Sequence, residues 1–281
     1  MIVGDEASND IDFLRQWIGR TQEAVDVITP RLVESLAATV GASPRPADEA
    51  PPAVHWCLSP AIVAADRLGS DGHPARGGFL PPVALPRRMW AGGEIRFLSP
   101  LRVGDEVTRT SRIADVTWKS GRSGDLCFVA VDHEYRTWRG VALNERHDIV
   151  YRQDGGRYVA PSHSAEPEFD HRQPVGIDAV TLFRYSAVTF NGHRIHYDAD
   201  YASNAEGYPG LVIHGPLQAT MLLNLAIAKR GTWPVRFAYR GVRPIFSGDA
   251  VQLNLRNDGA ALSLWTSGAD PAPAMTATAH W

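Results

Sequence analysis

From Val251 onward apolar and polar positions alternate, with Val251, Leu253 and Leu255 set against Gln252, Asn254 and Arg256. This is the period-two pattern of a strand with one buried face. Asn257-Asp258-Gly259 breaks it with residues suited to a hairpin turn. Leu262 and Leu264 fit a returning strand, and Met275, Ala277, Ala279 and Trp281, alternating with Thr276, Thr278 and His280, fit a third. The chain is thus predicted to end in an antiparallel meander. Ahead of it the period lengthens: Leu217, Met221 and Leu225 recur every four residues. Pro216 suits a first helical turn and Lys229-Arg230-Gly231 a helix end, so one helix is predicted over His214 to Arg230.

The first half carries a similar strand-rich stretch from Arg96 to Tyr151. Its counterpart to the helix, LPPVALPRRMWAGG, is interrupted by Pro81, Pro82 and Pro86, which predicts a helix that is short or degenerate. PLRVGDEV at Pro100 to Val107 is echoed by PIFSGDAV at Pro244 to Val251, each after an Arg-Phe pair (Arg96-Phe97 and Arg236-Phe237). The separation of Gly104 from Gly248, 144 residues, is far longer than a solenoid unit and reads as duplication of a whole domain. Residues 154–174, rich in Gly, Pro, Ser and charge, read as a linker between halves at 1–153 and 175–281. An apolar helix followed by an antiparallel sheet, twice over, is an α+β arrangement whose two sheets could pair edge to edge.

Composition narrows the function classes. With 281 residues and 44% apolar side chains the chain can build a sizeable core. A net charge of -3 gives no reason to expect nucleic acid or an anionic membrane as partner. The acidic N-terminus MIVGDEASNDID does not read as a secretory signal, and no apolar run approaches the roughly 20 residues of a membrane span, so a cytoplasmic protein is expected. Cys57 and Cys127, without paired spacing, read as core thiols.

Functional side chains concentrate in FNGHRIHYDADYA at Phe190 to Ala202 and in EGYPGLVIHGP at Glu206 to Pro216. This pair resembles the hydratase signature of MaoC-like hot-dog proteins. The narrower match of Phe190 to Asp198, Gly207 to Gly210 and Val212 to Pro216 is similar to the mitochondrial-type 3-hydroxyacyl-thioester dehydratases and mesaconyl-C4-CoA hydratases. Asp71 to Phe97 resembles the N-terminal domain of the same group, so the likeness spans nearly the whole chain. It implies a double hot-dog fold, two antiparallel sheets each wrapping a central helix, with the first helix degenerate. It also implies a first half that shapes the substrate site and a catalytic second half.

The activity implied is hydration or dehydration across the α,β-bond of a CoA or carrier-protein thioester. Such chemistry needs a proton shuttle near neutral pH and a fixed donor for the thioester oxygen as it gains charge. His196 is the candidate for the first and the N–H of Gly215, at a helix start, for the second. Five residues before His196 stands Asn191, where the wider MaoC-like group has a catalytic aspartate; asparagine cannot accept a proton but can orient water. Asp198 or His193 could supply a second titrating group. Plainer roles are open as well: turn capping for His193, helix capping for Asp198, structuring the helix entry for His214.

Arg87 and Arg88 could bind a substrate carboxylate or a CoA phosphate, and a cation facing the acyl pocket would favour a dicarboxylic thioester such as mesaconyl-CoA or itaconyl-CoA. Trp90, His193 and His214, with His55-Trp56, are further candidates to line the pocket. The spacing of His193, His196 and Asp198 fits no metal pattern, so neither metal nor cofactor is expected. The partner expected is the thioester itself, with a homodimer left open. Two other classes share this ground: a hot-dog thioesterase, which directs water at the thioester carbonyl, and a non-catalytic acyl-CoA-binding module.

Overall fold

The computed structural model describes residues 7–41, 46–121, 124–153, 156–159 and 165–281. Its first half runs α1 (Ile11–Arg15), β1 (Thr21–Val27), α2 (Pro30–Val40), β2 (Arg87–Phe97), β3 (Glu106–Gly121), β4 (Gly124–Thr137) and β5 (Gly140–Arg152). The second runs β6 (His171–Val175), α3 (Ala179–Thr189), α4 (Ala199–Asn204), α5 (Gly215–Arg230), β7 (Arg236–Gly241), β8 (Val251–Asn257), β9 (Ala261–Ser267) and β10 (Met275–His280). The ten strands form one sheet in the order β1-β3-β4-β5-β2-β7-β10-β9-β8-β6. Read from either end, the order is an edge strand, then a three-strand meander, then a central strand. The two central strands, β2 and β7, pair antiparallel from Gly92↔Arg240 to Arg96↔Arg236, so each half covers the other's inner edge.

The echoed PxxxGD segments make the same turn. Gly104 and Gly248 both take positive φ, +89° and +94°. Asp105 Oδ2 accepts from the Arg102 N–H at 2.7 Å, and Asp249 Oδ2 from the Phe246 N–H at 2.9 Å. Each carboxylate thereby closes the loop that feeds the first strand of its meander, β3 or β8.

In the second half the predicted helix forms as α5, ended by Gly231 in the left-handed region. It is apolar nearly all round because it is wrapped all round: β7 to β10 contact it on one side, and α2 and α3 share one apolar core with it on the other. The hairpin predicted at Asn257-Asp258-Gly259 joins β8 to β9, with Asp258 N–H bonded to the Ala261 carbonyl.

The helix expected in the first half is degenerate to the point of absence, and one expected boundary needs correction. No helix occupies Leu80 to Gly93: the prolines leave 80–86 without regular structure, and Arg87 onward pairs as β2 with both β5 and β7. The segment expected to be a linker over 154–174 also runs too far, since His171–Val175 pair with β8. A polar, proline-containing strand is tolerated there because β6 is the sheet's edge and has only one neighbour to satisfy. Residues 154–155 and 160–164 of that segment lie outside the described residues.

Candidate active site

The loop from α3 to α5 carries the second-half motif. Helix α3 ends with Phe190 in the left-handed region, and the next residue, Asn191, accepts the His193 N–H on Oδ1 at 3.0 Å. A short 3-10 turn over Arg194–His196 then aims His196 inward. His196 is 7% exposed. Its Nδ1 lies 2.7 Å from the Val212 carbonyl oxygen. A carbonyl can only accept, so Nδ1 carries the proton of the neutral ring and Nε2 is left as the basic lone pair. Burial pushes the imidazole's pKa down to about 4, against the Val212 bond that favours the charged form. The ring is therefore neutral, with one nitrogen held and the other left able to accept.

His214 sits behind this ring and does not line the pocket as expected. It is fully buried, stacked on His196 at 3.7 Å between centroids, and bonded through Nε2 to Ser186 Oγ at 2.8 Å. Its place at the start of α5, under the sheet, makes it the wall that fixes His196 in orientation. Next to it Gly215 opens α5, where an N–H has no intrahelical acceptor. Trp90 from β2 packs directly on Gly215: a Cβ there would meet Trp90 Cε3 at 2.9 Å.

Asp198 also has a different task from the catalytic one expected. Its Oδ1 caps α4 by accepting the Tyr201 N–H at 2.9 Å, while Oδ2 takes two bonds from the Arg194 guanidinium. Those donors, the Tyr201 N–H first, hold its carboxyl below the usual range. It is committed to structure, and the set His193, His196 and Asp198 does not converge.

Of the two arginines, Arg87 is taken. Its Nη2 donates to the Glu206 carbonyl at 2.7 Å and its Nε lies 3.4 Å from Glu206 Oε2. The pair ties β2 to the loop between α4 and α5, so Arg87 is not free to bind substrate. Arg88, by contrast, is in no ion pair among the described residues, and its charge acts on Asp71, His73 and His193. With Asp71, Arg87, Tyr201 and Glu206 it lines a cavity of about 460 Å³ between the halves.

Two constellations were not read from the sequence. Asp71 and His73 form a first-half pair that reaches His193: Asp71 Oδ2 lies 2.9 Å from His73 Nδ1, and the His73 and His193 rings are 4.2 Å apart. Their contacting atoms are close enough together to touch a cation. Asp71 and His73 are instead bonded to each other, beside the positive charge of Arg88, which disfavours a metal ion. The second is a buried carboxylate, Glu145 on β5. Its Oε1 accepts from Trp56 Nε1 at 2.7 Å and Tyr239 Oη at 2.9 Å, with His147 Nε2 at 2.8 Å; its Oε2 is 3.4 Å from His55 Nε2. Burial alone would raise this carboxyl's pKa, but the two histidines hold it well below the usual range. Tyr239 in turn stacks on Trp90 at 4.5 Å, so the network backs the indole that covers Gly215.

A buried neutral imidazole, a helix N-terminus beside it and a cavity between the halves invite comparison with known proteins. Residues 53–247 match the model of the hydroxyacyl-thioester dehydratase type 2 family. The chain belongs to that family. It is 42% identical over 267 residues to mesaconyl-C4-CoA hydratase of Chloroflexus aurantiacus, covering 93% of this chain and 95% of the relative. Among solved structures, HtdX of Mycobacterium tuberculosis aligns over 92% of this chain and 98% of its own, with a TM-score of 0.67 at 21% identity. A second Mycobacterium tuberculosis protein, with a double hotdog fold, aligns over 94% and 96% with a TM-score of 0.62 at 11% identity. These likenesses establish the double hot-dog fold. Membership of the family makes the protein an acyl-thioester hydratase or dehydratase, a hydro-lyase acting across the α,β-bond.

Among the described residues no helix is long and apolar enough to cross a membrane.

Proposed function

We propose that the protein hydrates a short enoyl-CoA bearing a second carboxylate at its β-carbon, mesaconyl-C4-CoA being the type compound, with His196 as base. The observation that carries this reading is Arg88, a cation in no ion pair among the described residues that lines the cavity between the halves beside Asp71. In mesaconyl-C4-CoA the carbon that receives water also carries the free carboxylate, so its partner must stand beside the base. A plain fatty chain would set methylenes against the guanidinium, where a carboxylate would gain a charge-assisted bond. The 42% identity to a protein named for this substrate supports the same choice.

In this reading His196 Nε2 takes a proton from water as the oxygen bonds to the β-carbon. The π pair moves to the thioester oxygen, whose charge the Gly215 N–H receives. His196 then returns the proton to the α-carbon, and the net change is one added water. Dehydration is the reverse. Residues 1–153 shape the acyl pocket and 175–281 supply the base, giving one site per chain; a cytoplasmic protein, alone or as a homodimer, belongs to the same proposal.

The test is loss of enoyl-thioester absorbance on mesaconyl-C4-CoA, itaconyl-CoA, crotonyl-CoA and a longer enoyl-CoA, with free thiol assayed alongside. The expected result is fastest loss on mesaconyl-C4-CoA without thiol release. Preference for crotonyl-CoA would remove the role given to Arg88, and thiol release would make the protein a thioesterase.

A further inference from the structure

The second half lacks a carboxylate where the wider MaoC-like group has one, and the residue in its place is engaged. Asn191 Oδ1 accepts the His193 N–H, so the asparagine holds the loop that carries His193. Apart from His214 stacked behind it, the ring that stands beside His196 is His193, 5.4 Å away edge-on. His193 is in turn clamped from the other half. The turn Asp71-Gly72-His73 is pressed onto the turn Gly192-His193-Arg194 so closely that a Cβ on Gly72 would come 2.0 Å from the Gly192 carbonyl oxygen, and a Cβ on Gly192 2.8 Å from that of Gly72. The Arg194 N–H bonds to the Asp71 carbonyl at 2.9 Å, and Arg194 Nη1 to the Ser70 carbonyl at 3.1 Å. This docking delivers the His73 ring to His193 at 4.2 Å, with Asp71 fixing His73 through Nδ1.

We propose that His193 is the second ligand of the reacting water, opposite His196, and that the Asp71–His73 pair of the first half positions it. The inference rests on the hydratase reading above and adds to it a role for residues outside the catalytic half. Chemically, a neutral imidazole can hold water by one hydrogen bond without exchanging a proton, so the proton still passes only from water to His196 and on to the α-carbon. Asp71 keeps the His73 proton on Nδ1, as an aspartate does for a histidine in hydrolase triads. The site therefore spans both halves, and neither turn can accept a side chain at its glycine without separating them.

The groups facing His193 are Asp71 and His73 from the first-half turn, Arg88 from β2 and His196 from its own loop. Substitution of one should be felt through the others. The experiment is a double-mutant cycle on His73→Ala and His193→Ala in the full chain, with Asp71→Asn as the variant least able to disturb folding. It is read as kcat and KM across pH on the best enoyl-CoA, with circular dichroism as the check on folding. His193→Ala is expected to lower kcat 100-fold or more, as loss of a positioned water ligand beside a general base should. His73→Ala should lower kcat at least 10-fold with KM changed less than about 3-fold, and the double variant should be no slower than His193→Ala alone, the signature of residues acting as a unit. Asp71→Asn should lower kcat and shift its acid limb.

Additive effects, or a His193→Ala variant within about 5-fold of wild type, would overturn the inference and leave the hydratase reading standing. Activity lost to a chelator and restored by a divalent metal would overturn it too, since Asp71, His73 and His193 would then be ligands. A wild type silent on every enoyl-CoA would bring down the hydratase reading and the inference with it.

Discussion

His196 and His214 lie face to face, 3.7 Å apart and 19° from parallel, the first held by the Val212 carbonyl and the second by Ser186 Oγ. Two imidazoles this close cannot both be charged, so the stack keeps the base neutral as well as oriented.

Removing the base should therefore end turnover while sparing the fold. His196→Gln is expected to lower kcat by 10³-fold or more, within the range that a positioned general base contributes. Enoyl absorbance on the preferred substrate and circular dichroism check it together; a variant retaining a tenth of the activity would strip His196 of its role.

Stability should fall with acid for the same reason. The His196 pKa is about 4 in the folded protein against 6.5 for a free imidazole, and those of His193 and His214 are also lowered. Between these values the unfolded chain binds more protons than the folded one, so stability is full above about pH 6.5 and declines as pH falls toward 4. Urea midpoints from pH 7 to pH 4.5 should show this decline, and His196→Gln should flatten it.

At Gly215 the crowding by Trp90 gives a steric prediction. Gly215→Ala puts a methyl 2.9 Å from Cε3 of an indole held on its other side by Tyr239, and overpacking of this kind costs about 1–3 kcal/mol. A lower Tm and a lower kcat are expected together, with Trp90→Phe restoring part of both in the double variant. An unchanged Tm would show that the indole has room to retreat.

Glu145 offers a test of the first half's polar core. Glu145→Gln keeps the shape but removes the charge that His55, His147, Trp56 and Tyr239 surround, and breaking a buried charged network costs about 3–5 kcal/mol. The carboxyl is held below its ordinary 4.5, so its contribution is present above that pH and lost as pH falls further. Denaturation of the variant should lack this acid limb.

Arg88 should separate substrates more than it sets rate. Arg88→Gln is expected to raise KM for mesaconyl-C4-CoA by about 10- to 100-fold, the worth of one charge-assisted hydrogen bond, and to leave crotonyl-CoA within about 3-fold. Equal effects on both would place the arginine on the CoA moiety.

What could be read in the sequence followed from local pattern. The meander, the hairpin at Asn257-Asp258-Gly259 and helix α5 are encoded by residues two to four apart, and they formed where the periodicity put them. The motif around His196 was equally legible because its members are neighbours in the chain. Asp71, His73 and Glu145 were not, since their partners are His193, Tyr239 and Trp56, brought close only by the pairing of β2 with β7 and the docking of distant loops. Arg87 and Arg88 looked alike in sequence, and Glu206 decides between them by engaging the first. Asp198 and His214 stood among functional residues and proved to hold the loop and the base in place, a distinction that burial and hydrogen bonding make and spacing does not.

The seam between β2 and β7 also sets an order in time. Its pairs join residues well over a hundred positions apart, and the Gly72–Gly192 contact that closes the site spans a similar stretch. Contacts so distant form after local ones, and β7 with its neighbour β10 follows the site's histidines in the chain. A chain being made thus has its histidines before it has the seam that brings the two halves together around them.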